Sequence, residues 1–207
     1  MRIITISREF GSGGRELGKR LAEELGIAYY DKEIITAIAE KSDLDEAYVE
    51  KAVESGVLSR YPLTFSSTFA HVPIMLNYDT KLIQSQRKVI LELASRGDCV
   101  IVGRNADTIL ADMKPLRIFV YADMESRVAR CVKKAKKDEE KITPAEIEKM
   151  IKQIDKTRRR NFDFASDYEW GDKRGYDLCV NTTHAEIKKL VPNIASYAKA
   201  WFEGKDE

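Results

Sequence analysis

Short apolar runs and apolar positions spaced one helical turn apart alternate along this chain. Ile3, Ile4 and Ile6 form a β-branched run of the kind that builds a buried strand. Leu17, Leu21 and Leu25 follow at four-residue spacing, so they line one face of a helix that Gly26 can close. Ile34, Ile35 and Ile38 mark a second helix, with Asp31 as its capping residue. A third helix is predicted over about 46–54, opened by Ser42 or Asp43 with Glu46 following. Residues 56–77 lose all periodicity and contain Pro62, Pro73 and several aromatics, too apolar for a linker, which predicts a packed surface excursion. A long helix is then expected over 79–95, stopped at Gly97.

Three further apolar runs, at 99–102, 117–121 and 178–180, have the character of central parallel strands. Thr143-Pro144-Ala145-Glu146 combines an N-cap, an N1 proline and a capping box, predicting a helix to about 160. Residues 183–186 cap a last helix whose Ile187, Leu190, Val191 and Ile194 face the core. Strand and helix in alternation imply right-handed βαβ crossovers, hence an α/β fold with a doubly wound parallel sheet flanked by helices. At 207 residues the chain fits one such domain and shows no internal repeat.

Composition narrows the function classes. Charged residues make up 33% and the net charge is +1, so no overall field calls for nucleic acid or an anionic membrane. No apolar run is long enough to span a bilayer. Cys99, Cys131 and Cys179 lack metal or redox spacing and suggest reduced thiols in a cytoplasmic protein. The two histidines, His71 and His184, are far apart, so no metal site is expected.

The candidate chemistry starts where the first strand meets the first helix. Gly11, Ser12, Gly13 and Gly14 form a turn whose amides can approach an anion, at a helix start that adds partial positive charge. Arg8 and Arg15 flank it as charge partners for a phosphate. The turn does not satisfy G-x-x-x-x-G-K-[ST]: Gly13 falls on the second glycine, Gly14 on the lysine and Arg8 on the first glycine. A plain strand-to-helix connection is the alternative. A second cluster, Gly103-Arg104-Asn105-Ala106-Asp107, follows the strand at 99–102, where Arg104 either forks onto a phosphate or carboxylate or pairs with Asp107. The third is the basic stretch 127–160, with Asp155 and Arg158 on one helix face. It reads as two arms able to close over a polyphosphate, as a solvated helical hairpin, or as a nucleic-acid patch short of stacking aromatics.

Taken together, ISREFGSGGRELGKRLAEELG, YYDKEII, CVIVGRNADTIL, DKTRRRNF and the stretch from Trp170 to Thr182 resemble the cytidylate kinase-like proteins, relatives of the nucleoside monophosphate kinases. The resemblance implies a P-loop-kinase-like fold, with a core (1–39, 81–126, 161–207), a monophosphate-binding insert (about 40–80) and a lid (about 127–160). It implies transfer of the ATP γ-phosphate to CMP or dCMP with Mg²⁺. On that scheme Gly11, Ser12, Gly13, Gly14 and Arg15 match the ATP phosphate loop, with Arg8 beside it. Asp31 matches the acidic residue opening the monophosphate-binding helix, and Arg104 the arginine holding the acceptor. Asp155 and Arg158 match the lid-side aspartate and arginine, while Arg127 and Arg130 look like the arginines that begin the lid. Arg15, Arg127 and Arg158 are the implied catalytic cations.

Two departures stand out. Gly14 replaces the phosphate-loop lysine, a form the cytidylate kinase-like group shares, and Ile151 stands where the true enzymes carry a lid arginine. Arg15, Arg8 or a lid arginine could replace the lost cation, because phosphoryl transfer needs positioning and charge neutralisation more than covalent help. Without such compensation the chain would bind nucleotide as a regulatory protein without turnover. A kinase for another small phosphorylated or hydroxyl acceptor is the other alternative. The oligomeric state is not legible in the sequence.

Overall fold

A computed structural model describes residues 1–42, 72–135 and 143–204. Five strands form one parallel sheet: β1 (Ile3–Arg8), β2 (Ala28–Tyr30), β3 (Cys99–Val102), β4 (Leu116–Tyr121) and β5 (Leu178–Asn181). Their order is β2-β3-β1-β4-β5, so the first strand lies at the centre. Ile4 sits in register with Val100 on one side and Leu116 on the other. β1 sends its connection toward the β2 edge while β4 sends its own toward the β5 edge. Ligands bind beyond the carboxyl ends of strands whose connections part in this way.

The side-chain period of two divides the core. Ile4, Ile6, Val100 and Ile118 pack on one face against α1 (Gly14–Leu25) and the last helix, α7 (Ile187–Glu203). Ile3 and Ile101 turn to the other face and meet α2 (Glu33–Ser42) and α3 (Val72–Ser95). β1 and β3 are buried on both faces; β3 reads as an unbroken apolar run, while β1 carries Thr5 between its isoleucines and Ser7 and Arg8 at its end. A third cluster stands α6 (Pro144–Asp163) against β4, Phe162 meeting Phe119 with Trp170 and Tyr176. Two elements complete the chain: the single turn α4 (Ala106–Ile109) and α5 (Met124–Ala135), which packs on α6. No described helix is long and apolar enough to cross a membrane.

The doubly wound parallel sheet matches the expectation, and the details differ where local sequence says little. β2 was not predicted: it has three residues, too few for any period to show. α3 starts at Val72, inside the stretch expected to be aperiodic. Pro73 fits there because first-turn residues have no intrahelical acceptor for an N–H. Asp31 does not cap α2 with its side chain; Glu33 accepts from the Asp31 N–H at 3.0 Å, and the Asp31 carboxylate turns to Arg15. Thr143 forms the predicted capping box, and α6 continues to Asp163. The helix expected at 46–54 lies outside the described residues, as do 43–71 of the expected insert and the tip 136–142.

Candidate active site

The loop from β1 to α1 is assembled by its neighbours. Glu9 N–H donates to the Val120 carbonyl of β4 at 3.0 Å, and Ser12, fully buried, donates its hydroxyl to the Glu9 carbonyl at 2.9 Å. Thr182, after β5, donates to the Ser12 carbonyl at 2.6 Å. Gly11 lies against Arg127 and Cys131 of α5, and Gly13 against Ile187 of α7. Leu17 N–H reaches the Gly13 carbonyl at 2.9 Å, so the amides of Gly14, Arg15 and Glu16 have no acceptor within the helix. Gly13, Gly14, Arg15 and Glu16 all line one large cleft, where such amides favour an anion.

That cleft has a volume of about 1490 Å³ and runs along the carboxyl ends of β1 and β3. Single small-ligand sites span roughly 300–1,000 Å³, so this one has room for two ligands side by side. Its floor is cationic. Arg8, from the end of β1, is partly buried, and desolvation lowers its pKa to about 9, with Arg158, Arg104 and Arg15 pushing the same way and Asp31 opposing. All four arginines line the cleft.

The second wall is the loop after β3. Gly103, Arg104 and Asn105 all hold positive φ, at 75°, 61° and 53°. Positive φ is costly for a side chain the size of arginine, so such a run marks a loop shaped for something other than stability. It is pinned from outside: Gln86 of α3 donates to the Arg104 carbonyl at 3.0 Å, and Asn105 donates to the Asn161 carbonyl of α6 at 2.8 Å. The buried carboxylate of Asp107 accepts from Ser7 at 2.9 Å and from the Thr108 N–H at 3.1 Å. Desolvation raises its pKa, with those two hydrogen bonds opposing.

Asp31 is buried, 4% exposed, and pairs with Arg15 Nε at 2.5 Å. It therefore sets the position of Arg15 at the start of α1 and does not itself line the cleft. Arg158 does line it. Its guanidinium donates to the Arg8 carbonyl at 3.0 Å, lies 3.8 Å from Asp155, and stacks 5.5 Å from the Phe10 ring centre. Arg130 reaches the cleft while donating to the carbonyls of Gly11, at 3.4 Å, and Thr182.

Arg127 and Asp155 lie elsewhere. Arg127 is 5% exposed, paired with Glu9 at 3.2 Å and with Asp155, and neither Arg127 nor Asp155 lines the cleft. Both Asp155 and Glu9 have carboxyl pKa values raised first by burial and held down in part by Arg127. Among the described residues no three His, Cys, Asp or Glu side chains gather as a metal-ligand group. Sequence reasoning missed Glu9, Phe10, Gln86, Asn161 and Thr182. Glu9 and Phe10 at least adjoin the glycine turn, whereas Gln86, Asn161 and Thr182 carry no local signal.

A parallel sheet in this order, with a glycine loop entering α1 from its central strand and an arginine loop after its neighbour, is the fold of the P-loop kinases. Within that class the chain belongs to the cytidylate kinase-like family, whose pattern residues 3–184 match. It is 22% identical over 220 residues to the cytidylate kinase of Acholeplasma laidlawii, spanning 92% of both chains. Among solved structures it is similar to an uncharacterized protein from Eubacterium ventriosum, with a TM-score of 0.68 at 24% identity, covering 96% of this chain and 99% of that one. It is also similar to the shikimate kinase from Acinetobacter baumannii in complex with shikimate, with a TM-score of 0.55 at 14% identity over 97% and 94% of the two chains. At these identities the structural likeness is one of fold.

Proposed function

We propose that this protein is an ATP-dependent phosphotransferase that moves the γ-phosphate of ATP onto a nucleoside monophosphate, CMP or dCMP. The observation that carries the reading is the convergence of Arg15, Arg104 and Arg158 with Arg8 in one cleft, with Asp31 opposing them in its effect on Arg8. A floor with that balance suits two phosphorylated ligands meeting end to end, and suits a neutral hydroxyl acceptor poorly. Membership of the cytidylate kinase-like family supports the same choice.

In this reading the donor phosphates lie on the amides of residues 13–16, and the acceptor phosphate lies on Arg104. An acceptor oxygen, already ionised at neutral pH, forms the new P–O bond as the bond to the β–γ bridging oxygen of ATP breaks, leaving ADP. No strong general base is needed. The protein supplies alignment and cations for the charge on the transferring group. Arg158 and Arg15 neutralise that group, and Arg130 flanks the donor. Arg127 and Asp155 position the loop at Phe10. Mg²⁺ would come with ATP, taking its ligands from phosphates and water. The residue ranges 40–80 and 127–160 act as insert and lid around the core.

The test is ADP release from MgATP with each nucleoside monophosphate in turn. CMP- or dCMP-dependent release is the expected result, and no acceptor-dependent release with any of them would overturn the reading. Gly14 favours one second reading, a nucleotide-binding regulatory protein. It predicts tight MgATP binding by calorimetry together with a silent ADP assay.

A further inference from the structure

In G-x-x-x-x-G-K the cation follows the second glycine, and the first glycine stands six residues before the cation. Here glycine occupies the lysine position, Gly14, and arginine occupies the position of the first glycine, Arg8. The two residue types stand exchanged. Space explains why they go together. A Cβ on Gly14 would lie 2.6 Å from Arg8 Cβ and 3.0 Å from Arg8 Cγ. Gly14 has no left-handed φ. The stem of Arg8, and not the backbone, is therefore what excludes a side chain at position 14.

The far end of Arg8 is equally specific. A Cβ on Gly103 would fall 1.7 Å from Arg8 Nη1 and 2.7 Å from Cζ, so the guanidinium lies directly against Gly103. Arg8 therefore crosses from the mouth of α1 to the loop that presents Arg104. Among the described residues the guanidinium donates no hydrogen bond and forms no ion pair. A partly buried cation facing other cations and lacking a carboxylate partner is a group arranged for an anion from outside the protein.

We propose that Arg8 is the phosphate-loop cation of this protein, supplied from position 8 in place of position 14 and reaching the donor γ-phosphate and the acceptor phosphate together. The proposal rests on the reading that a nucleoside triphosphate binds at the start of α1. A planar fork can hydrogen-bond two phosphate groups at once, which a compact ammonium does less well. The cation thus lies on the line of transfer. It exchanges no proton, and its work is to neutralise charge as one P–O bond forms and the other breaks.

The experiment compares wild type with Arg8→Met, Arg8→Gly, Gly14→Lys and the double variant Arg8→Gly/Gly14→Lys. ADP formation from MgATP and CMP is measured alongside binding of inorganic tripolyphosphate and thermal melting. Arg8→Met keeps the stem and removes the charge. It is expected to lower kcat by about 10³-fold, typical of losing a transition-state cation, and to weaken tripolyphosphate while still melting cooperatively. Gly14→Lys alone is expected to lose activity through collision with Arg8. The double variant restores the motif order and is expected to exceed both single variants at positions 8 and 14 by about tenfold or more, a non-additivity that only shared space and shared function produce. Arg8→Met retaining wild-type turnover and tripolyphosphate affinity would overturn the proposal, as would a folded double variant no better than either of its parents. If wild type releases no ADP with any acceptor, the phosphotransferase reading fails alone. The tripolyphosphate series still decides the role of Arg8.

Discussion

Arg127 and Asp155 meet between α5 and α6 and together hold both backbone polar groups of one residue, Phe10. Asp155 accepts from the Phe10 N–H at 2.7 Å, and Arg127 Nε donates to the Phe10 carbonyl at 2.8 Å. The glycine loop is thereby tied to both helices through the residue just before it. A charge pair this buried contributes to position more than to stability, and removing one partner is costly.

Arg127→Met should therefore destabilise the protein by about 3–5 kcal/mol at neutral pH, because it leaves the Glu9 and Asp155 carboxylates buried together. Both already have raised pKa values in the folded state, and losing the cation raises them further. A carboxyl whose folded pKa lies above its unfolded value favours the fold at low pH and loses that contribution as pH rises through the folded value. Urea melts between pH 7 and pH 5 should thus show the variant regaining stability relative to wild type on acidification. A constant gap across that range would contradict the assignment.

Arg8 predicts the opposite exchange, function held at the expense of stability. Its pKa is lowered from 12.5 to about 9, so the charged form is disfavoured in the fold throughout the neutral range. Without ligand, Arg8→Met should be more stable than wild type by about 1–2 kcal/mol, well below the full shift because the open cleft screens these charges. Melting temperatures without nucleotide test this directly, and a lower value for Arg8→Met would count against it.

The left-handed run after β3 makes a further distinction. Arg104→Ala should raise KM for the acceptor by about 10–100-fold, as expected for loss of a charged phosphate contact, with a smaller effect on kcat. Asn105→Val should instead lower stability by about 1–3 kcal/mol, since a β-branched residue does not tolerate φ near 53° and the bond to Asn161 is lost as well. Titration of CMP against each purified variant separates the two effects.

Arg15 and Asp31 form the last testable pair. Arg15→Ala should reduce kcat by about 10²-fold or more while changing acceptor affinity less, as for a cation acting on the transferring group. Asp31→Asn keeps the hydrogen-bond acceptor and weakens the anchor of Arg15, so its loss of kcat should be smaller than that of Arg15→Ala. An Asp31→Asn enzyme with intact kcat and a strongly raised acceptor KM would instead place Asp31 on the acceptor.

The strand at 99–102 was legible because a parallel sheet covered on both faces demands a continuous apolar run, and those expected at 117–121 and 178–180 because of their short apolar stretches, although β5 lies at the sheet edge with Cys179 exposed. The capping box at Thr143 and the glycine turn at 11–14 were legible because their chemistry is local. Arg8, Arg15 and Arg104 could each be picked out as a candidate cation, since strand ends and helix starts in an α/β chain fall near the site, and Arg158 from its place beside Asp155 in the basic stretch. Only the tertiary structure decided which arginines face the cleft and which are spent inside the protein. Arg127 and Arg158 both belong to the basic stretch, yet Arg127 is buried against Glu9 and Asp155 while Arg158 lines the cavity. That difference comes from partners more than a hundred residues away or on another helix, and no local period or spacing encodes such pairings. Position 14 carries the same lesson: composition shows a glycine, and only the path of Arg8 across it shows why glycine is required.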